Sequence, residues 1–404
     1  MLENTKKSVG DQDDSIMSLM FIALMIANVL LLISIAIDIV AIERYTSYAV
    51  FGIGMLMFAY TWMLNKSLKM SETIFFALGI YMVFLAFIKQ WNYSQLVVVG
   101  QFVLMLTTWR TVEYVGKSEK INKMIFYTYV LIGIILLGLS VSPYAYTAYV
   151  EGTSVSGELT LGFPNPNQTG IIIISTIIIL SISMNNNFIS KRTKSLVWIE
   201  IILLCAILYL TMARTCMVAL IIYAAFYFTE KIPKLRKFNP LLGKNSNLFS
   251  ILMILSPLVF LYGYLWLSDS FLKDTMILGK KLFSGRQDLY REVFADWTDK
   301  ILGNLDVFKF ENKHNIHLTV MINIGIVGLL IYLAYTIFSY LSFYSSCLKN
   351  NKVICCATII VFYIIGYAEA SILTSGTIYY VSLIVVMVLS NTNTYIQQEG
   401  RKIE

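Results

Sequence analysis

Ser284-Gly285-Arg286-Gln287-Asp288, running on through Lys313-His314-Asn315-Ile316-His317 to Gly325-Ile326-Val327-Gly328, is the stretch that decides how this chain is read. Residues 284–328 leave the longest polar segment of the sequence, hold both of its histidines and end inside an apolar run. Around them the chain is lipid-like. Of 404 residues, 57% are hydrophobic and only 14% charged, with a mean hydropathy of +0.70. That balance belongs to integral membrane proteins. The expected fold is an all-α integral membrane protein, one polytopic domain over residues 1–404.

A bilayer core takes about 20 apolar residues per helix, fewer where polar ends snorkel. By that measure twelve spans are expected, near 16–37, 47–64, 73–88, 95–109, 122–141, 168–186, 196–213, 215–229, 249–267, 316–345, 353–369 and 375–391. The pair around Arg214 reads equally as one bent element. Residues 1–14 are polar and mixed in charge, unlike a cleavable signal peptide, so the first apolar run is expected to be retained. The net charge of +7 is spread through loops between apolar runs, which points to topology and away from nucleic acid. Cytoplasmic loops retain Lys and Arg. With both termini inside, the short inner segments hold 20 of these residues and the short outer ones only Arg44, Lys89 and Arg214. The five cysteines show no CxxC pair and lie in or beside apolar runs, which suggests neither a disulfide framework nor a zinc site.

Two outer loops are then long enough to carry function. The first, 142–167, has no Lys or Arg and is rich in tyrosine, with Tyr144 and Tyr146 among them. It ends in Gly162-Phe163-Pro164-Asn165-Pro166-Asn167, where the prolines force extended or turn geometry and Asn167 is expected to cap a helix beginning at Gln168. The amides of Asn165 and Asn167 are either parts of a rigid turn or, with a helix N-terminus, contacts for a sugar or phosphate.

The second loop, 268–316, has apolar residues at Leu289, Tyr290, Val293, Phe294, Trp297 and Ile301, the period of an amphipathic helix. On its wheel Arg286 falls in the middle of the apolar stripe, whereas Arg291 falls off its edge. An arginine facing protein or lipid requires an anion, either a nearby carboxylate or a ligand. Arg214, in Thr211-Met212-Ala213-Arg214-Thr215-Cys216 between two apolar runs, repeats the argument, with Glu369 as a candidate structural partner. Arginine favours two-pronged recognition of phosphate or carboxylate. His314 and His317, three apart, share a face if a helix already runs there, and Glu311 could then complete a metal site. With no accompanying acidic pair, the preferred reading is no metal and one proton-transferring residue, His314.

Gly-Phe-Pro-Asn-Pro-Asn at 162–167, Ala-Arg-Thr at 213–215, Gly-Arg at 285–286 and His-Asn followed by Gly-Ile-Val-Gly within 314–328 together resemble the O-antigen polymerase and O-antigen ligase family. The resemblance covers roughly residues 140–345. It implies a GT-C-like glycosyltransferase of the cytoplasmic membrane, without metal or cofactor, that takes glycan from a polyprenyl diphosphate on the outer face. It implies diphosphate contacts for Arg214, Arg286 and Arg291, and His314 as the base. The implied partners are the lipid-linked oligosaccharide as donor and acceptor, the bilayer, and a flippase and chain-length regulator of the same pathway. A polymerase of surface polysaccharide, whether O-antigen, capsule or exopolysaccharide, is expected ahead of a ligase, because the short loop 268–316 and the tyrosine-lined loop 142–167, with Tyr144 and Tyr146, suit a groove for a linear glycan whose rings stack on aromatic faces. A transporter of lipid-linked oligosaccharide is the reading from another class, weakened because no repeated half is visible.

Overall fold

The computed structural model describes residues 2–64, 70–88, 119–146, 158–184, 188–232, 246–277, 280–283, 285–295, 301–303, 314–346 and 352–369. The helices are α1 (Leu2–Ala36), α2 (Val40–Leu64), α3 (Met70–Ile88), α4 (Glu119–Ser140), α5 (Pro166–Ser183), α6 (Lys191–Leu210), α7 (Arg214–Lys231), α8 (Ser246–Ser268), α9 (Arg286–Ala295), α10 (Ile316–Ser346) and α11 (Lys352–Ala368). Among the described residues one tiny antiparallel pair interrupts the helices, Met276–Ile277 against Lys280–Lys281, with Met276 facing Lys281 and Ile277 facing Lys280.

Six helical stretches among the described residues are long and apolar enough to cross a membrane: Ser15–Ala36, Val40–Leu64, Lys120–Ser140, Pro166–Ser183, Lys191–Leu210 and Ile316–Phe338. The architecture is that of a helical membrane protein, but twelve spans are not reached. The stretches expected at 95–109 and 375–391 lie outside the described residues. The apolar helices at Glu72–Leu85, Ile254–Ser268 and Ala357–Ala368 are shorter. α7 carries Arg214, Glu230 and Lys231 within its 18 residues, which dilutes its apolar character. α2 begins at Val40, so Glu43 and Arg44 ride on the helix instead of in a loop.

α5 is the centre of the packing. Isoleucines at 171–174 and 177–179 leave it no polar face, and a helix apolar all round must be covered on every side. It is walled by α4, α6, α7 and α11. Gly170 permits a close approach to α7, since a Cβ there would lie 2.8 Å from Ala213 Cβ and 3.0 Å from Cys216 Sγ. A polar tie crosses this interior, Ser181 Oγ to Tyr223 Oη at 2.6 Å. Elsewhere α7 lies along α11, α10 along α3, and α8 against both α9 and α10.

The pair of elements around Arg214 resolves into two helices. Met212 takes a left-handed backbone, φ 55°, after the α6 C-cap at Thr211. Thr211 Oγ1 donates to Leu208 O at 2.7 Å and accepts from Ala213 N at 3.2 Å, closing the break. Helix N-termini at 166, 214, 286 and 316 and the C-terminus at 368 then gather at one end of the bundle.

Candidate functional site

A cavity of about 750 Å³ opens where those termini meet. Its polar wall is Asn167, Arg214, Thr215, Arg286 and His314, and its apolar wall includes Phe260, Leu289 and Ile364. Each of the five polar residues comes from the first turn of a helix or the residues just before it: α5, α7, α9 and α10 all point their N-termini inward. The helix dipole gives each such end a partial positive charge, with the first N–H groups of α5 and α10 capped by Asn165 and Asn315. Two guanidinium groups, those of Arg214 and Arg286, stand among these four helix N-termini.

Arg286 is placed as the helical wheel requires. Tyr290 and Val293, its stripe-mates on α9, are buried, and its side chain is 21% exposed. Nη1 donates to Ala368 O at 2.6 Å and Nη2 to Glu369 Oε1 at 3.0 Å. The helix expected to run as far as Ile301 is described only to Ala295. Residues 296–300, including Trp297, lie outside the described residues, and Ile301–Gly303 form a bend.

Glu369 is the residue the sequence reading undervalued. It was a candidate partner for Arg214, yet it pairs with Arg286 and also accepts from Asn167 Nδ2 at 2.6 Å. Its second oxygen stands 3.8 Å from His314 Nδ1. With its side chain only 4% exposed, it orders three cavity residues at once. The available signal was a carboxylate following a long apolar run, which lipid does not tolerate without partners.

Arg214 starts α7 and sends Nη1 to Lys281 O at 3.0 Å, joining the small hairpin to the cavity rim. His314 precedes α10 in a left-handed backbone, φ 52°, with its side chain 40% exposed. The α10 cap is Asn315, whose Oδ1 accepts from His317 N at 2.9 Å and Leu318 N at 3.1 Å. Asn315 Nδ2 donates to Tyr367 O at 2.9 Å, tying this corner to α11. Tyr290 Oη donates to His314 O at 3.4 Å. Burial pushes the Tyr290 phenol well above its ordinary value, more than Arg286 lowers it, so it remains a donor.

Several expected members stand elsewhere. Arg291 does not line the cavity. It is 44% exposed and pairs with Asp269 and, at 3.4 Å, with Asp288, because the edge of the stripe meets the surface. His317 shares no face with His314, since the helix starts only at Ile316. It is 3% exposed, beside the rings of Tyr332, Tyr363 and Tyr367 at 5.6–6.2 Å. Glu311 lies outside the described residues, among which no group of three His, Cys, Asp or Glu could hold a metal ion. The α5 cap is Asn165, not Asn167: its Oδ1 accepts from Asn167 N at 2.8 Å and Pro166 takes the first helical position. Proline fits that position because its missing N–H is unneeded there. The cap occupies Asn165 and frees the Asn167 amide for Glu369. Pro143–Tyr146 form a turn of 3₁₀ helix away from the cavity, with the Tyr146 side chain exposed; of Tyr144 only the backbone is described.

Comparison with known proteins finds no matching family, no matching curated protein and no matching solved structure.

Proposed function

We propose that this chain is a membrane glycosyltransferase that joins polyprenyl-diphosphate-linked oligosaccharide repeat units into a surface polysaccharide. The observation that carries this reading is the meeting of Arg214, Arg286 and four helix N-termini with His314 in one cavity. A diphosphate matches that charge, and the imidazole supplies a proton acceptor beside it. The resemblance of the 162–167, 213–215, 285–286 and 314–328 motifs to O-antigen polymerases and ligases supports the same class.

In the reaction the acceptor hydroxyl attacks the anomeric carbon of the donor sugar. The bond from that carbon to the diphosphate oxygen breaks, and its electron pair leaves on the diphosphate. Arg214 and Arg286 stabilise that growing charge, as fixed donors do best in a dry site. His314 takes the hydroxyl proton, with a Glu369 oxygen 3.8 Å from its Nδ1. Asn167 holds Glu369 and faces the cavity where the glycan would pass. No metal or cofactor enters the scheme. Arg291 takes no part in holding the diphosphate.

In this reading the chain is GT-C-like, with twelve spans counting 95–109 and 375–391. It sits in the cytoplasmic membrane with both termini inside and the cavity on the outer face. Its partners are the lipid-linked donor and acceptor, with a flippase and chain-length regulator in the same assembly line. The test is to give the purified protein a single lipid-linked repeat unit and no other acceptor. A ladder spaced by one repeat is expected. Extension only after a different lipid acceptor is added would make the protein a ligase, and movement of the lipid-linked unit across a vesicle without release of polyprenyl diphosphate would make it a transporter.

A further inference from the structure

The Gly325-Ile326-Val327-Gly328 motif has no place in the cavity, and the structure shows what its first residue does. α10 is broken at Gly325, where φ is 79° and ψ 178°. That region of backbone space is essentially reserved for glycine. Its nine residues before the break, Ile316 to Ile324, are all buried, whereas Val327 and Leu330 beyond it are exposed. The first half is therefore an internal helix, roughly 14 Å long, with His314 and its cap at the far end.

A broken helix leaves backbone N–H and C=O groups without partners, and inside a membrane protein each such orphan costs several kcal/mol. Here the loop between α9 and α10 returns to fill the gap. Ile326 N donates to Ile301 O at 3.1 Å. Gly303, itself at φ 76°, lies so close that a Cβ on it would sit 2.3 Å from Gly325 N. A Cβ on Gly325 would in turn sit 2.2 Å from Ile301 O and 2.6 Å from Gly303 N. Every atom in conflict is backbone, so no side-chain rotation can relieve it.

We propose that Gly303 and Gly325 form a backbone clip that seats Ile301-Leu302-Gly303 in the break of α10 and thereby positions His314. The clip makes one unit of Ile301-Leu302-Gly303 and the buried half-helix. At one end of that half-helix the break is held by the loop. At the other end Asn315 is held to α11 through Tyr367 O, and Tyr290 of α9 reaches the His314 carbonyl. The imidazole therefore stands on a strut fixed at both ends. Neither glycine touches substrate; both are positioning residues, and the inference rests on His314 being the base of the proposed reaction.

A methyl group on either glycine would displace the loop from the break and shift the half-helix along its axis. A displacement near 1 Å can cost on the order of 10²-fold in rate. Gly325→Ala and Gly303→Ala are expected to lower kcat by roughly 10- to 100-fold with little change in KM for the lipid-linked repeat unit, because Arg214 and Arg286 belong to other elements. Gly52→Ala, where the added Cβ meets nothing within 4 Å, is the control and should match the parent. Unchanged kcat in both clip variants, or a change confined to KM, would overturn the proposal. A second measurement is independent of turnover and of whether those variants insert: a photoreactive benzophenone amino acid at Leu302, in the full chain in native membranes, should cross-link to peptides from 316–346. Cross-links mapping only elsewhere would also overturn it. If the cross-link maps to α10 while the parent protein shows no turnover, the clip stands and the glycosyltransferase reading fails.

Discussion

α9 carries two arginines five positions apart, and each bonds a carboxylate, yet their surroundings differ in kind. Arg286 meets Glu369 where both side chains are largely enclosed, at 21% and 4% exposure, and Ala368 O and Asn167 complete the set. Arg291 meets Asp269 and Asp288 in the open, at 44%, 65% and 75% exposure. Water screens the second group, and exposed pairs of this sort contribute about 0–1 kcal/mol. In the first group the field is stronger, and a removed partner strands a buried charge. The presence of an ion pair therefore says little about a residue's task; what surrounds it says more.

The contrast can be broken or sharpened by substitution, beginning where the largest effect is expected. His314→Ala, on the enclosed side, should lower turnover by about 10² to 10⁴, whereas His317→Ala should act mainly through folding yield, since His317 does not face the cavity. Addition of EDTA should leave turnover of the parent unchanged; loss of activity restored by zinc would replace the proton-transfer role with a metal site. Arg286→Ala and Arg286→Lys should each cost roughly 10² to 10³ in rate, because a point charge does not reproduce the fork that now spans Ala368 O and Glu369. Full activity in either, with normal membrane insertion, would remove Arg286 from the site.

Smaller effects follow on stability. Glu369→Ala, which leaves Arg286 without its carboxylate, should lower the stability of the purified protein by up to roughly 3 kcal/mol, the usual cost of breaking a buried pair reduced for the part of Arg286 that reaches water. A thermal-shift measurement reads this directly, and a Tm equal to that of the parent would contradict the enclosed network. Asn165→Ala should cost about 1 kcal/mol by uncapping α5, while Asn167→Ala should spare the cap. Arg291→Ala should change stability by less than about 1 kcal/mol and leave turnover untouched. A rate loss there comparable to that of Arg286→Ala would erase the distinction between the two ends of α9.

What could be read from the sequence came from local pattern. Apolar runs long enough for a bilayer marked the helical membrane class, and the 3.6-residue stripe from Leu289 turned Arg286 inward and left Arg291 at the rim. Pattern erred where neighbouring residues compete for one role. Asn165 and Asn167 both suit a cap, and Pro166 between them, seated at the first helical position, gave the role to Asn165. His314 and His317 suit one helical face only if the helix has already begun, and the Asn315 cap delays it.

The sequence alone determined which arginines demand a partner: Arg214 because it stands between two apolar runs, and Arg286 because it falls in the middle of an apolar helical stripe, with Glu369 offered only as a partner for Arg214. Which partner each found was decided only by the tertiary structure. Glu369 lies 83 positions from Arg286 and 202 from Asn167, and no periodicity reaches across such distances. The convergence of four helix N-termini and the seating of Gly303 against Gly325 have the same origin. They are contacts between backbones brought together by the packing of α5, α7, α9, α10 and α11, and local propensity carries no information about which backbones will meet.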